Sequence, residues 1–257
     1  MLHGLDCLWV GLAAVAAGFV NALAGGGTLI TFPALLAVGL PAVAANVTST
    51  VALCPGYFGA TLSQAGDLRG QGRRLWLVLP AAVVGGVAGA WLLLYTSEKS
   101  FRTAMPFLIL LASGLLAVQG PVRSWLMRHA GAAVGKHAPA VECWAVLPLG
   151  LAAVYGGYFG AGLSVIVLAV LGLLMDDTLT RLNALKQAMA FSINTAAACV
   201  FVFSGQVRWW VVLVMTIGAL AGGAIGGRMA GKIPPAILRW IVVTIGLLVG
   251  GIYLVRG

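Results

Sequence analysis

Long apolar segments follow one another along almost the whole chain, over 8–24, 42–64, 75–95, 101–119, 178–203, 208–230 and 235–256. Stretches of about 18 or more apolar residues match the ~30 Å of hydrocarbon that a helix must cross. The chain therefore reads as an all-α polytopic membrane protein. Composition agrees: 61% of residues are hydrophobic and 8% charged, and the mean hydropathy is +1.04. A soluble domain of this composition would lack the polar surface to cover its core. The formal net charge of +9 does not indicate nucleic acid, because the cations sit at the ends of apolar segments, where membrane topology signals belong. The first 25 residues contain no Lys or Arg, so they lack the basic region of a cleaved signal peptide and read as a retained membrane segment. Cys7, Cys54, Cys143 and Cys199 show no CxxC spacing and read as small buried residues.

Twice an apolar segment is broken by glycine, once in each half. The first break is Asn21-Ala22-Leu23-Ala24-Gly25-Gly26-Gly27-Thr28, and the second is Gly156-Gly157-Tyr158-Phe159-Gly160-Ala161-Gly162. Each is followed by a short apolar run, 28–39 or 162–174, and then by a long segment with an Asn near its start, Asn46 or Asn183. The short runs reach about 18–20 Å as helices, too little to cross comfortably. Broken backbone at membrane depth is tolerated where it is buried in protein or lines a polar cavity, and a matched pair in two halves marks a transporter's binding site.

The halves align at an offset near 137 residues: Gly85-Gly86-x-x-Gly89 falls on Gly222-Gly223-x-x-Gly226, and Asn46 on Asn183. This divides the chain into a first transmembrane repeat (1–119), a cytoplasmic connecting loop (120–142) and a second transmembrane repeat (143–257). If each broken segment enters and leaves on the same side, then 65–74, 120–142, 175–182 and 228–239 share one face. That face carries ten cations, and the opposite one only Lys99, Arg102, Arg208 and Arg256. A single crossing at each break would erase the bias. The positive-inside rule thus favours two inverted repeats, each a Gly-broken helical hairpin plus three transmembrane helices, with both termini non-cytoplasmic.

Candidate binding residues gather at the breaks. In the first half they are Asn21, Gly25, Gly26, Gly27 and Thr28, with Asn46, Thr48 and Ser49 from the next helix. Glycines let a ligand approach backbone N–H groups, and the half-helix beginning near Thr28 presents a positive dipole end suited to an anion. The second half offers Gly160, Gly162, Asn183, Lys186 and Gln187; Asn183, Lys186, Gln187 and Asn194 fall on one helical face. Lys186 is the cation placed deepest in a segment and has no acid at matching depth. An intramembrane charge is a functional hypothesis, with an anionic substrate as the natural partner; the alternative is snorkelling to the interface. Trp9, Trp76, Trp209 and Trp210 stand at segment ends as interfacial anchors. Metal, P-loop and GxSxG motifs are absent from the sequence, so neither an enzyme nor a cofactor is expected.

The run Gly18-Phe19-Val20-Asn21-Ala22-Leu23-Ala24-Gly25-Gly26-Gly27-Thr28-Leu29-Ile30-Thr31-Phe32-Pro33-Ala34-Leu35-Leu36, with Gly156–Gly162 and Asn183-Ala184-Leu185-Lys186-Gln187, resembles the TauE/SafE sulfite exporter family, the 4-toluene sulfonate uptake permeases, over nearly the whole chain. The resemblance implies export of sulfite or a related organosulfonate across the bacterial inner membrane. Departures at Ala24 and Gln187 loosen the assignment to sulfite itself. Three readings stand: a secondary exporter working by alternating access, an anion channel of the same fold, and a membrane scaffold or sulfur-handling enzyme using Cys54 or Cys199. The partners expected are a small anionic substrate and the lipid bilayer, without nucleic acid. The Gly246–Gly250 pair is a candidate homodimer face.

Overall fold

The structure is a computed structural model that describes residues 4–23, 26–133, 144–175, 177–229 and 234–256. Ten α-helices occur among them: α1 (Gly4–Leu23), α2 (Thr28–Ala37), α3 (Ala42–Ser63), α4 (Gly72–Tyr95), α5 (Glu98–Ala133), α6 (Val146–Tyr158), α7 (Leu163–Leu174), α8 (Leu179–Val202), α9 (Trp209–Arg228) and α10 (Pro235–Arg256). A 3-10 turn, Ala65–Leu68, joins α3 to α4. No strand is present among the described residues. Six helices (α1, α4, α5, α8, α9 and α10) are long and apolar enough to cross a membrane, whereas α2, α6 and α7 are apolar but short. The fold is therefore all-α and polytopic, as the apolar segments require.

One segment departs from expectation. The connection placed at 120–142 is helical as far as Ala133, because α5 runs on through Pro121. Leu126, 2% exposed, explains the continuation: a Cβ on Gly172 of α7 would fall on its side chain, so α5 is held against α7 past the apolar stretch.

The glycine breaks form as expected where they are described. Gly26 has φ +90°, and Gly160 and Gly162 each have φ +76°. This left-handed backbone stops a helix at little cost only in glycine. After the first break, Leu29 N–H donates to Gly26 C=O at 3.0 Å, starting α2. At the second, the Tyr155 hydroxyl donates to the Ala161 carbonyl at 2.6 Å and ties the turn to α6.

Glycine also sets how the helices pack. A Cβ on Gly18, Gly222 or Gly226 would strike the backbone of the facing helix, α9 for Gly18 and α1 for the other two. The same holds between α4 and α6 at Gly85, Gly89 and Gly157. Small residues let backbones touch, which is how helices associate where no hydrophobic effect drives them together. Contacts at Gly218 with Gly11, Gly222 with Val15 and Gly226 with Phe19 make α1 and α9 parallel; Gly85 with Gly150 and Gly89 with Val154 do the same for α4 and α6. Each half's first helix thus packs on the other half's fourth.

Helices that the 137-residue offset aligns meet head to tail. Between α3 and α8, Thr48 pairs with Arg208 just beyond α8, Cys54 with Thr195, Thr61 with Gln187 and Gln64 with Asn183. Between α5 and α10, Gly250 meets Leu110, Gly246 meets Ser113 and Arg239 meets Gly120. Both pairs are antiparallel. The last contacts also correct the dimer argument: Gly246 and Gly250 are taken up against α5 within the chain and offer no free face.

These directions put the connection 64–71 and the start of α8 at one end of the bundle, with the end of α7 and the end of α5. Salt bridges from Asp177 to Arg74 and to Arg181 (3.0 Å) close that end. At the other end, where α3 and α5 begin, the Glu98 carboxylate accepts from the N–H groups of Ala42 and Val43, supplying the cap that Pro41 does not give. Phe159, at the second break, reaches Phe32 of α2 edge-on, with ring centroids 5.4 Å apart, and packs tilted on Phe101 of α5 at 6.4 Å.

Candidate binding site

The candidate residues settle into two polar clusters at opposite ends of the antiparallel α3–α8 pair. The first lies where α3 begins. Asn46, 1% exposed, donates from Nδ2 to the Tyr158 carbonyl at 2.8 Å, so α3 of the first half grips the glycine break of the second. Its Oδ1 is buried without a hydrogen-bond partner. Ser49 and Thr31 share a hydroxyl–hydroxyl bond of 2.8 Å, and Thr48 Oγ1 accepts from Arg208 N–H at 3.2 Å. Thr48 and Ser49 are fully buried. Gly160 and Gly162 belong to the same end through the turn that Asn46 holds.

The second cluster lies where α8 begins. Lys186 Nζ donates to Asn183 Oδ1 at 2.7 Å, and Asn183 Nδ2 donates to Gln64 Oε1 at 2.7 Å. Lys186 is seven residues into α8, about 10 Å along its axis. Among the described residues no carboxylate lies within 4 Å of it, and Arg123 of α5 is close enough for the two cations to repel. An uncompensated positive charge of this kind, reinforced by a second, is a place for an anion. Gln187 takes part through its backbone, its carbonyl accepting from the Thr61 hydroxyl at 3.2 Å. Thr28, at the start of α2, lies beside the Tyr57 hydroxyl of α3, one turn from Thr61.

The structure does not bring the two sets into one shell. Thr61 lies level with Gln187, so Asn46 stands fifteen residues of helix away from the level of Lys186, about 22 Å. Gly27 is buried, and a Cβ on it would meet the Ala17 carbonyl and Asn21; these residues hold the first break against α1. Gly25 and Ala24 lie outside the described residues. Gln64 and Tyr57 escaped the sequence reading. Gln64 sits just past the last turn of α3 and is brought to Asn183 only by the register of α3 on α8; a lone Gln at a segment end carries no signal of that.

Comparison with known proteins agrees with this architecture. The family described as Sulfite exporter TauE/SafE matches residues 10–253. A probable membrane transporter protein of Haemophilus influenzae is 30% identical over 227 residues, covering 88% of this chain and 86% of its own length. The probable membrane transporter protein ORF9 of a Sinorhizobium species is 32% identical, covering 95% and 90%, and YfcA of Escherichia coli K12, also a probable membrane transporter protein, is 25% identical, covering 90% and 83%. No solved structure matches the chain. The chain belongs to the TauE/SafE sulfite exporter family and is a multi-pass membrane transporter.

Proposed function

We propose that the protein is a secondary exporter of a small sulfur oxyanion, sulfite or a short organosulfonate, working by alternating access. The observation that carries this reading is Lys186, held by Asn183 with Arg123 nearby and no carboxylate within reach among the described residues. An anion entering beside it replaces a neutral amide with a true counter-charge. The antiparallel pairing of α3 with α8 and of α5 with α10 supports the halves being inverted repeats. The end bearing Arg69, Arg73, Arg74 and Arg181 is then cytoplasmic, in the inner membrane of a bacterium, with both termini on the other side. Lys186, Asn183 and Gln64 receive the anion from inside. Asn46, Thr48 and Ser49 form the cluster met on the way out, where the buried Asn46 Oδ1 accepts a proton donor such as a protonated anion or its water. An anion leaving an inside-negative cell gains ~2.3 kcal/mol per charge per 100 mV, which is enough to drive export without a second ion.

The test is sulfite efflux from proteoliposomes by wild type, Lys186→Met and Asn183→Ala. Lys186→Met is expected to lose at least ten-fold in rate and Asn183→Ala less. Normal efflux by Lys186→Met would end the anion-pairing argument. Sulfite accumulation beyond electrochemical equilibrium, driven by a pH gradient at zero membrane potential, identifies an ion-coupled carrier, because a channel stops at that equilibrium. A carrier driven by the potential alone stops there too and is told from a channel by sulfite efflux that sulfite on the opposite side accelerates.

A further inference from the structure

A groove at the end of the bundle where α5 begins and α10 finishes is unused by the transport reading. It encloses 760 Å³ and is lined by Lys99, Arg102, Phe107, Ile252 and Leu254, among others. Along α5 its lining follows one face: Lys99 and Arg102 come first, then Thr103, Pro106 and Phe107 at the i+4, i+7 and i+8 positions. Cationic side chains therefore stand over an apolar slot that leads toward the bilayer centre. Phe107, Ile252 and Leu254 are each about half exposed, so the slot faces lipid.

Two separate costs attach to those cations. They stand in the opening turns of α5, where the helix dipole disfavours positive charge. They also stand at the end of the bundle that carries few cations, away from the arginine-rich 69–74 segment and Arg181. Neither cost is offset among the described residues. Among the described residues no carboxylate lies within 4 Å of Lys99 or Arg102, and Glu98, their neighbour, has its carboxylate on the N–H groups of Ala42 and Val43. A phosphate diester seated on the two cations would offset both costs, and acyl chains would fill the slot below. We propose that this groove binds an anionic phospholipid, with its headgroup phosphate between Lys99 and Arg102 and a chain along Phe107. A soluble oxyanion has no use for the apolar slot, and a zwitterionic headgroup brings its own cation to the same place. Arg102 also lines a second cavity of 350 Å³ with Glu98, Leu40 and Pro41, so the bound lipid lies beside the loop that leads into α3.

The test uses the whole purified protein in detergent, titrated with phosphatidylglycerol, phosphatidylcholine and inorganic phosphate and read by native mass spectrometry and thermal unfolding. Wild type is expected to retain phosphatidylglycerol at least ten-fold more tightly than phosphatidylcholine and to gain thermal stability from it. The Lys99→Gln/Arg102→Gln variant should lose that preference while unfolding at the wild-type temperature without lipid; Arg73→Gln, at the other end, should keep it. If the double variant does not purify, Lys99→Gln alone must show an intermediate loss. Equal binding of the two lipids, an unaltered preference in the Lys99 and Arg102 variants, or displacement of the lipid by inorganic phosphate would each overturn the proposal.

Discussion

The backbone contact between the first helix of one half and the fourth of the other predicts opposite outcomes for chemically identical substitutions. In Gly89→Ala the new methyl falls on the Val154 carbonyl, within 2.7 Å of Tyr158 N and 2.9 Å of Gly157 C. In Gly222→Ala it falls on the Val15 carbonyl, 2.7 Å from its carbon. All of these atoms are backbone, so no side chain can swing aside, and the helices must separate by more than half an ångström. Overpacking of this kind costs about 1–3 kcal/mol. For a chain of this size that is a fall of roughly 2–12 °C in unfolding temperature. Gly114 of α5 has nothing within 4 Å of the same position. There, Gly114→Ala gains only from helix propensity and should raise stability by about 0.5–1 kcal/mol. Thermal unfolding of the purified variants in one detergent reads all three. The two interfaces share no residues, so the Gly89→Ala/Gly222→Ala double variant should show the sum of the single losses. If either destabilising variant proves as stable as Gly114→Ala, the helices it was taken to join are not in backbone contact, and the cross-packing of the halves is refuted.

Two further outcomes follow from the ends and the thiols. Asp177→Asn removes the carboxylate shared by Arg74 and Arg181, which is 13% exposed, and should cost about 1–2 kcal/mol, read as a lower unfolding temperature that is less sensitive to salt than an open surface pair. Replacement of all four cysteines by serine should leave sulfite efflux within two-fold of wild type, since the hydrogen bond of Cys54 to Thr195 at 3.3 Å is one that serine can also make. Loss of efflux in that variant would bring back the reading in which a thiol does the chemistry.

Much of the fold was legible because the bilayer imposes simple demands on sequence. Segment length gave α4, α8, α9 and α10 nearly to their ends, and left-handed glycines ended helices where the Gly runs predicted. What escaped depended on partners far along the chain. The polar residues of 120–133 look like a loop until Leu126 is seen beneath α7. Gly246-x-x-x-Gly250 looks like an outer face until Ser113 and Leu110 are found against it. The candidate site shows the same division. That Asn183 and Lys186 share a face follows from helical spacing, and their hydrogen bond bears it out. That Asn46 lies some 22 Å from Lys186 is set by the register of α3 on α8, and a linear sequence gives no sign of that register.

The cross-packing of α1 on α9 and of α6 on α4 has a consequence for how the protein is made. When the first half has emerged from the ribosome, α1 has no fourth helix to lie on, and its glycine-fitted face must wait in lipid until α9 is inserted. α6, by contrast, finds α4 already in place. Assembly is thus unequal in time although the finished contacts are matched. Cut between the halves, the chain would yield two fragments that each lack their partner surfaces; synthesised together, the fragments should find one another, and synthesised alone neither should escape the cell's membrane proteases.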